Sequence, residues 1–170
     1  MTTDLQTLSV DVGHALRRRG WMLATAESCT GGWIAKAITD VSGSSAWFDR
    51  GFVTYTNEAK REMLRVARES LEAHGAVSEQ VAREMAAGAL RASHADAVVA
   101  VTGVAGPTGG SPAKPVGTVW FAWALRGDEP VTGLRLFDGN REAVRLRAAE
   151  CGLAGVLDLV IGAGQSSRRY

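Results

Sequence analysis

Between positions 97 and 101 the chain reads Ala97-Val98-Val99-Ala100-Val101, an apolar, largely β-branched run with no polar residue in it. A strand with one solvated face alternates apolar and polar residues; a strand without that alternation has both faces covered. The run is short and rich in valine, which favours a strand over a helix. It therefore predicts a central strand, and the rest of the chain must supply helices for two faces of a sheet.

The flanking patterns do supply them. Leu5, Leu8, Val12 and Leu16 recur at helical spacing and predict a first helix ending near Gly20. A short buried strand is expected over 22–26, a turn over 27–32, a helix over 33–38 and a loop over 40–45. The stretch 47–55, aromatic and β-branched, reads as a strand. Asn57 reads as an N-cap with Glu58 in the first turn, opening a helix to about Val66. Ser78 opens an alanine-rich helix ending near Ser93. A Gly/Pro loop spans 103–115, and strands over 116–125 and 131–137 meet at a turn at Gly127-Asp128. Asn140 caps a last helix running to about Ile161. Helices alternate with strands early, and two strands adjoin late. The fold class expected is α/β: a three-layer α/β/α single domain with a mixed β-sheet, over residues 1–165, with 166–170 a frayed tail. A chain of 170 residues suits one domain with a sizeable core.

Charge narrows the partners. With a formal net charge of +1 the chain lacks the basic excess or stripe of a duplex-binding protein. Arg17-Arg18-Arg19 and Arg168-Arg169 read as solvated surface, so no nucleic acid is expected. No apolar run is long enough to span a bilayer, so no membrane is expected either. Met1-Thr2-Thr3-Asp4 lacks a basic segment leading into an apolar one, and the two cysteines, Cys29 and Cys151, form no CxxC pair. The cytoplasm is the expected compartment, with reduced thiols and no metal site.

Three loops follow expected strands, and in open α/β sheets ligands gather beyond the carboxyl ends of strands. In the first, Ser28-Cys29-Thr30-Gly31-Gly32, a serine at a strand-to-helix turn presents its hydroxyl beside backbone N–H groups able to hold an oxyanion or a phosphate. An ordinary helix N-cap with a glycine turn has the same pattern, and G-x-S-x-G is absent. In the second, Tyr55-Thr56-Asn57-Glu58-Ala59-Lys60, the lysine falls in the first helical turn. The helix N-terminus and partial burial there disfavour its charged form. A neutral lysine can take a serine proton, and Tyr55 could relay a proton or orient the lysine. A solvated helix lysine fits the same spacing. The third, 103–110, offers Gly103, Gly106, Gly109 and Gly110 as an anion nest after Thr102, or as a flexible connection, without the Gly-Lys-Ser/Thr of a P-loop.

Other bases and nucleophiles are weaker. His14, His74 and His94 read as surface or capping residues, so a Ser-His-Asp triad has no support. Cys29 is a rival nucleophile near a helix N-terminus, but also fits as a small buried hydrophobe. Most of the tryptophans, Trp33, Trp47, Trp120 and Trp123 among them, are expected in the core.

Taken together these segments resemble the CinA C-terminal domain family in its stand-alone form, the nicotinamide-nucleotide amidases. The anchors are Thr25-Ala26-Glu27-Ser28-Cys29-Thr30-Gly31-Gly32, Gly51-Phe52-Val53-Thr54-Tyr55, Asn57-Glu58-Ala59-Lys60, Gly75-Ala76-Val77-Ser78, Thr102-Gly103-Val104-Ala105-Gly106-Pro107 and Lys114-Pro115-Val116-Gly117-Thr118-Val119. They span nearly the whole chain in order. The resemblance implies hydrolysis of nicotinamide mononucleotide to nicotinate mononucleotide and ammonia, in pyridine nucleotide recycling, by a Ser-Lys mechanism with no metal and no cofactor. Ser28 would be the nucleophile, Lys60 the general base and Tyr55 an assisting residue, with Ser44 or Ser45 as alternatives for that last role. Oxyanion donors are expected near Thr30, Gly31 and Gly32. The glycine-rich loop with Thr102, Gly103, Gly106 and Gly109 would hold phosphate or ribose, and Arg141 would add a charge-assisted bond to the phosphate. The partner is a small phosphorylated nicotinamide nucleotide, and exposed aromatic residues allow a homodimer. Two other readings remain open: a nucleotide-binding or competence- and repair-associated interaction module without chemistry, and a cysteine amidase using Cys29.

Overall fold

The computed structural model describes residues 4–166. The central run lies in β3 (Ala97–Gly103), flanked in one sheet by β1 (Leu23–Glu27), β2 (Phe48–Val53), β4 (Thr118–Leu125) and β5 (Val131–Leu136), in the order β2-β1-β3-β4-β5. β1 runs parallel to β2 and β3, whereas β3–β4 and β4–β5 are antiparallel, so the sheet is mixed. Every residue of β1 is buried, as are all but the last of β3.

Side chains alternate across a strand, and β3 shows what each face meets. Val99 and Val101 join Leu8, Val12, Leu16, Ile34, Ile38 and Leu153 in one cluster, from α1 (Leu5–Arg19), α2 (Trp33–Thr39) and α6 (Arg141–Ser166). Val98 and Ala100 join Leu64, Leu71, Val81 and Met85 in the other, from α3 (Asn57–Leu64), α4 (Arg68–His74) and α5 (Glu79–Arg91). Each fully buried aliphatic side chain of this kind contributes roughly 1.5–3 kcal/mol. The three-layer α/β/α architecture follows. No helix among the described residues is long and apolar enough to cross a membrane.

Topology then fixes where a ligand can sit. The chain steps outward from β1 to β2 through α2 and returns past β1 to β3 through α3, α4 and α5. Crossovers between parallel strands are right-handed, so these two lie on opposite faces. The chain segments leaving the carboxyl ends of β1 and β3 part there and leave a crevice between them.

The differences from expectation are local. Thr56, not Asn57, caps α3: its hydroxyl accepts from the Ala59 N–H at 3.0 Å. α4 has no counterpart in the sequence reading, because Leu71 is its sole buried residue and its remaining surface is polar. β4 begins at Thr118, since Pro115 and Gly117 still belong to the preceding turn. α6 continues past Ile161 to Ser166, and residues 167–170 of the expected tail lie outside the described residues. α3 is held close to α5 through a glycine: a Cβ on Gly88 would lie 2.0 Å from the Leu64 carbonyl oxygen. Only a hydrogen atom fits there.

Candidate active site

Ser28 follows β1 directly, and its N–H donates to the Val101 carbonyl at 3.0 Å, which ties it to the end of β3. The chain then turns sharply. The Gly31 N–H donates to the Ser28 carbonyl at 3.0 Å, and Gly31 and Gly32 take φ values of 59° and 96°. Gly32 has no side chain with which to cap α2. The cap comes from Glu27, fully buried at the end of β1. Its Oε1 accepts from the Ile34 N–H and the Thr30 hydroxyl, both at 2.8 Å; its Oε2 accepts from the Ala35 N–H at 3.0 Å and the Thr25 hydroxyl at 3.2 Å. A carboxylate at a helix N-terminus satisfies donors that would otherwise be orphaned.

Lys60 enters from the opposite layer, one turn into α3, and is 1% exposed. Its Nζ donates to the Thr54 carbonyl at 2.8 Å and lies 2.9 Å from Ser28 Oγ. Burial pushes its pKa down from 10.5 to about 8. It belongs to none of the ion pairs among the described residues. As a neutral amine it can donate to Thr54 and accept the Ser28 proton on its lone pair. Cys29, 4% exposed, stands beside the pair, but burial pushes its thiol up to about 12, so it stays protonated.

These groups open on a cleft of about 300 Å³ lined by Ser28, Cys29, Tyr55, Asn57, Lys60, Ala76, Val77, Thr102, Gly103, Ala105 and Arg141. The Thr102 hydroxyl donates to the Ala76 carbonyl at 2.8 Å, fixing the wall between β3 and the segment before α5. Arg141, at the start of α6, donates to the Gly106 carbonyl at 2.7 Å and to the Tyr55 hydroxyl at 2.8 Å. A serine hydroxyl beside a buried lysine whose pKa is lowered to about 8, at a polar cleft, is an arrangement suited to attack on a carbonyl carbon.

Ser28, Lys60, Tyr55, Thr102, Gly103 and Arg141 thus meet at one cleft, and Gly106 reaches it through the carbonyl held by Arg141. Others do not. Tyr55 is 58% exposed at the rim and is tied to Arg141; the Thr54 carbonyl is what orients Lys60. Ser44 and Ser45 lie in a short 3-10 turn before β2. Leu23 pairs with Phe48 there, so these serines sit at the amino ends of the parallel strands, away from Ser28. Gly31 and Gly32 line a separate shallow depression with Trp33, Lys36 and Arg145, behind the turn. The Gly31 N–H is already used within the turn, so it is not an oxyanion donor. The Cys29 and Thr30 N–H groups donate to no other residue among the described residues. Gly109 lies on the exposed part of its loop, outside the cleft lining. His14, His74 and His94 also lie outside it.

Sequence reasoning missed Glu27, Thr54, Asn57, Ala76, Val77 and Arg145. For Glu27 a signal existed: an acidic residue at the end of an otherwise apolar strand needs a buried partner set. Arg145 donates through Nε to the Cys29 carbonyl at 3.0 Å and through Nη2 to the Thr30 carbonyl at 3.1 Å, with its guanidinium 5.3 Å from the centre of the Trp33 ring.

The sequence model of the CinA C-terminal domain matches residues 5–160. The nicotinamide-nucleotide amidohydrolase PncC of Enterobacter agglomerans is 61% identical over 145 residues, covering 85% of this chain and 88% of that protein. The protein of the same name from Escherichia coli strain K12 is 59% identical over 146 residues, covering 86% and 88%. Among solved structures, the competence/damage inducible protein CihA from Agrobacterium tumefaciens superposes with a TM-score of 0.89 at 47% identity, over 92% of this chain and 96% of that one.

Proposed function

The chain belongs to the CinA C-terminal domain family, and from that membership we propose that it is a nicotinamide-nucleotide amidohydrolase in which Ser28 and Lys60 carry out the chemistry. Its relatives named for that activity, at 61% and 59% identity, support the substrate class. The observation that carries the mechanism is the 2.9 Å approach of Lys60 Nζ to Ser28 Oγ at the cleft.

In this mechanism neutral Lys60 takes the Ser28 proton as Oγ attacks the carboxamide carbon of nicotinamide mononucleotide. The pyridinium ring withdraws electrons and makes that carbon more electrophilic. The tetrahedral oxyanion is received by the Cys29 and Thr30 N–H groups. The lysine ammonium then protonates the amide nitrogen, the C–N bond breaks and ammonia leaves an acyl ester on Ser28. Water attacks that ester as Lys60 takes its proton, and the proton returns to Ser28 Oγ as nicotinate mononucleotide departs. Arg141 and the loop at Gly103, Ala105 and Gly106 hold the phosphate and ribose; Tyr55 and Thr102 complete the cleft. The reading includes a cytoplasmic enzyme of pyridine nucleotide recycling that needs no metal or cofactor. It also includes a homodimer, for which exposed Val131, Leu134 and Leu136 on edge strand β5 offer apolar surface.

The test is ammonia release from nicotinamide mononucleotide by wild type and Ser28→Ala, both checked for folding. Turnover by wild type alone is the expected result. Binding of the nucleotide without ammonia release would replace the enzyme with a binding module.

A further inference from the structure

We infer that Arg145 is a positioning residue that aims and strengthens the oxyanion donors of the Ser28 turn, an inference that rests on the amidohydrolase reading above. Arg145 is absent from the cleft lining and touches the turn from behind, where it lines the depression with Gly31, Gly32 and Trp33. It can act on the reaction only through the turn. Its Nε and Nη2 hold the Cys29 and Thr30 carbonyls at 3.0 and 3.1 Å.

A trans peptide sets its C=O and N–H antiparallel. Drawing the Cys29 carbonyl toward α6 therefore turns the Thr30 N–H away from α6. The Gly31 N–H, by donating to the Ser28 carbonyl, sets the preceding peptide plane in the same way and turns the Cys29 N–H to the side opposite that carbonyl. Neither N–H is taken up by another residue among the described residues; Cys29 lines the cleft, and the two residues are 4% and 0% exposed. Buried backbone donors without partners are rare, and two in succession directly after a nucleophile are what a tetrahedral oxyanion requires. A cation on the far oxygen of a peptide also polarises it and makes its N–H a stronger donor. The Trp33 ring, 5.3 Å from the guanidinium carbon, backs that geometry, and Glu27 holds the Thr30 hydroxyl from the inner side.

The test compares Arg145→Met and Arg145→Lys with wild type, using nicotinamide mononucleotide. Loss of aim at the donors lowers kcat by about 10- to 100-fold while KM stays within about two-fold. Arg145→Lys, which keeps the charge and one carbonyl contact, recovers part of that loss. The rise of kcat/KM with pH keeps its wild-type midpoint, because the Ser28–Lys60 pair is untouched; a residue needed only for folding would not separate these readouts. Wild-type kcat in Arg145→Met, or a raised KM at unchanged kcat, overturns the inference. So does a shifted pH midpoint. If Arg145→Met does not fold, Arg145→Lys decides by the same criteria. Absence of turnover in wild type would instead bring down the amidohydrolase reading itself.

Discussion

Lys60 and Ser28, thirty-two positions apart, come within 2.9 Å of each other although α3, which carries Lys60, and α2, which follows the Ser28 turn, cover opposite faces of the sheet. The amine is almost wholly buried at the cleft and has a carbonyl, not a carboxylate, as its second partner. Its charge state therefore follows from burial, and the consequences can be measured.

Activity should depend on pH through this amine. The base must be neutral to take the serine proton, and its pKa lies at about 8. kcat/KM is expected to rise as pH passes upward through that value and to level off above it. A profile that is flat from pH 7 to pH 9, measured by ammonia release, would remove Lys60 from that role.

Stability should respond in the same window. Between about 8 in the folded state and 10.5 in the unfolded chain, the unfolded state binds the additional proton, so stability rises with pH across that interval. Below it, the cost of burying the charge is fully present. Lys60→Met removes that cost: the variant is expected to be inactive yet more stable than wild type at pH 7. Its advantage should narrow by about 3 kcal/mol as pH climbs to 10.5. Urea midpoints of both proteins at matched pH measure the difference.

Cys29→Ala should keep kcat within about three-fold of wild type, because a thiol pushed up to about 12 supplies no nucleophile at neutral pH. Loss of a buried sulfur costs about 1 kcal/mol in stability. Loss of turnover in a folded Cys29→Ala protein would revive the cysteine mechanism.

Glu27→Gln should destabilise the protein by about 2–4 kcal/mol, read as a lowered urea midpoint. Four donors converge on the two carboxylate oxygens, and an amide would turn an NH₂ group toward two of them. Unchanged stability would mean that the turn reorganises around the amide.

Much of this site was legible in the sequence because its central residues sit at punctuation marks. Ser28 lies between an apolar strand and a glycine pair, and Lys60 lies just inside a helix start. The alternation of helix and strand patterns likewise exposed the layered sheet. The supporting residues carry no such marks. Arg145 occupies an ordinary helical position, and its partners are backbone carbonyls more than a hundred positions away, which no local pattern encodes. Thr54 acts through its carbonyl, a group every residue owns. The glycines misled in the opposite sense: Gly31 and Gly32 turn the chain toward α2 and face away from the cleft. Thr56 and Asn57 are both good capping residues, so spacing alone did not choose between them.

The crevice at the parting of β1 and β3 has a consequence for how reactivity arises in the chain's lifetime. Before the layers dock, Ser28 is an unremarkable alcohol and Lys60 an ordinary hydrated ammonium. Neither segment by itself holds the pair. Closing the sandwich dehydrates the amine and places it beside the hydroxyl. On the proposed mechanism, catalytic competence is a property of the assembled layers, and an opening that parts Lys60 from Ser28 abolishes it.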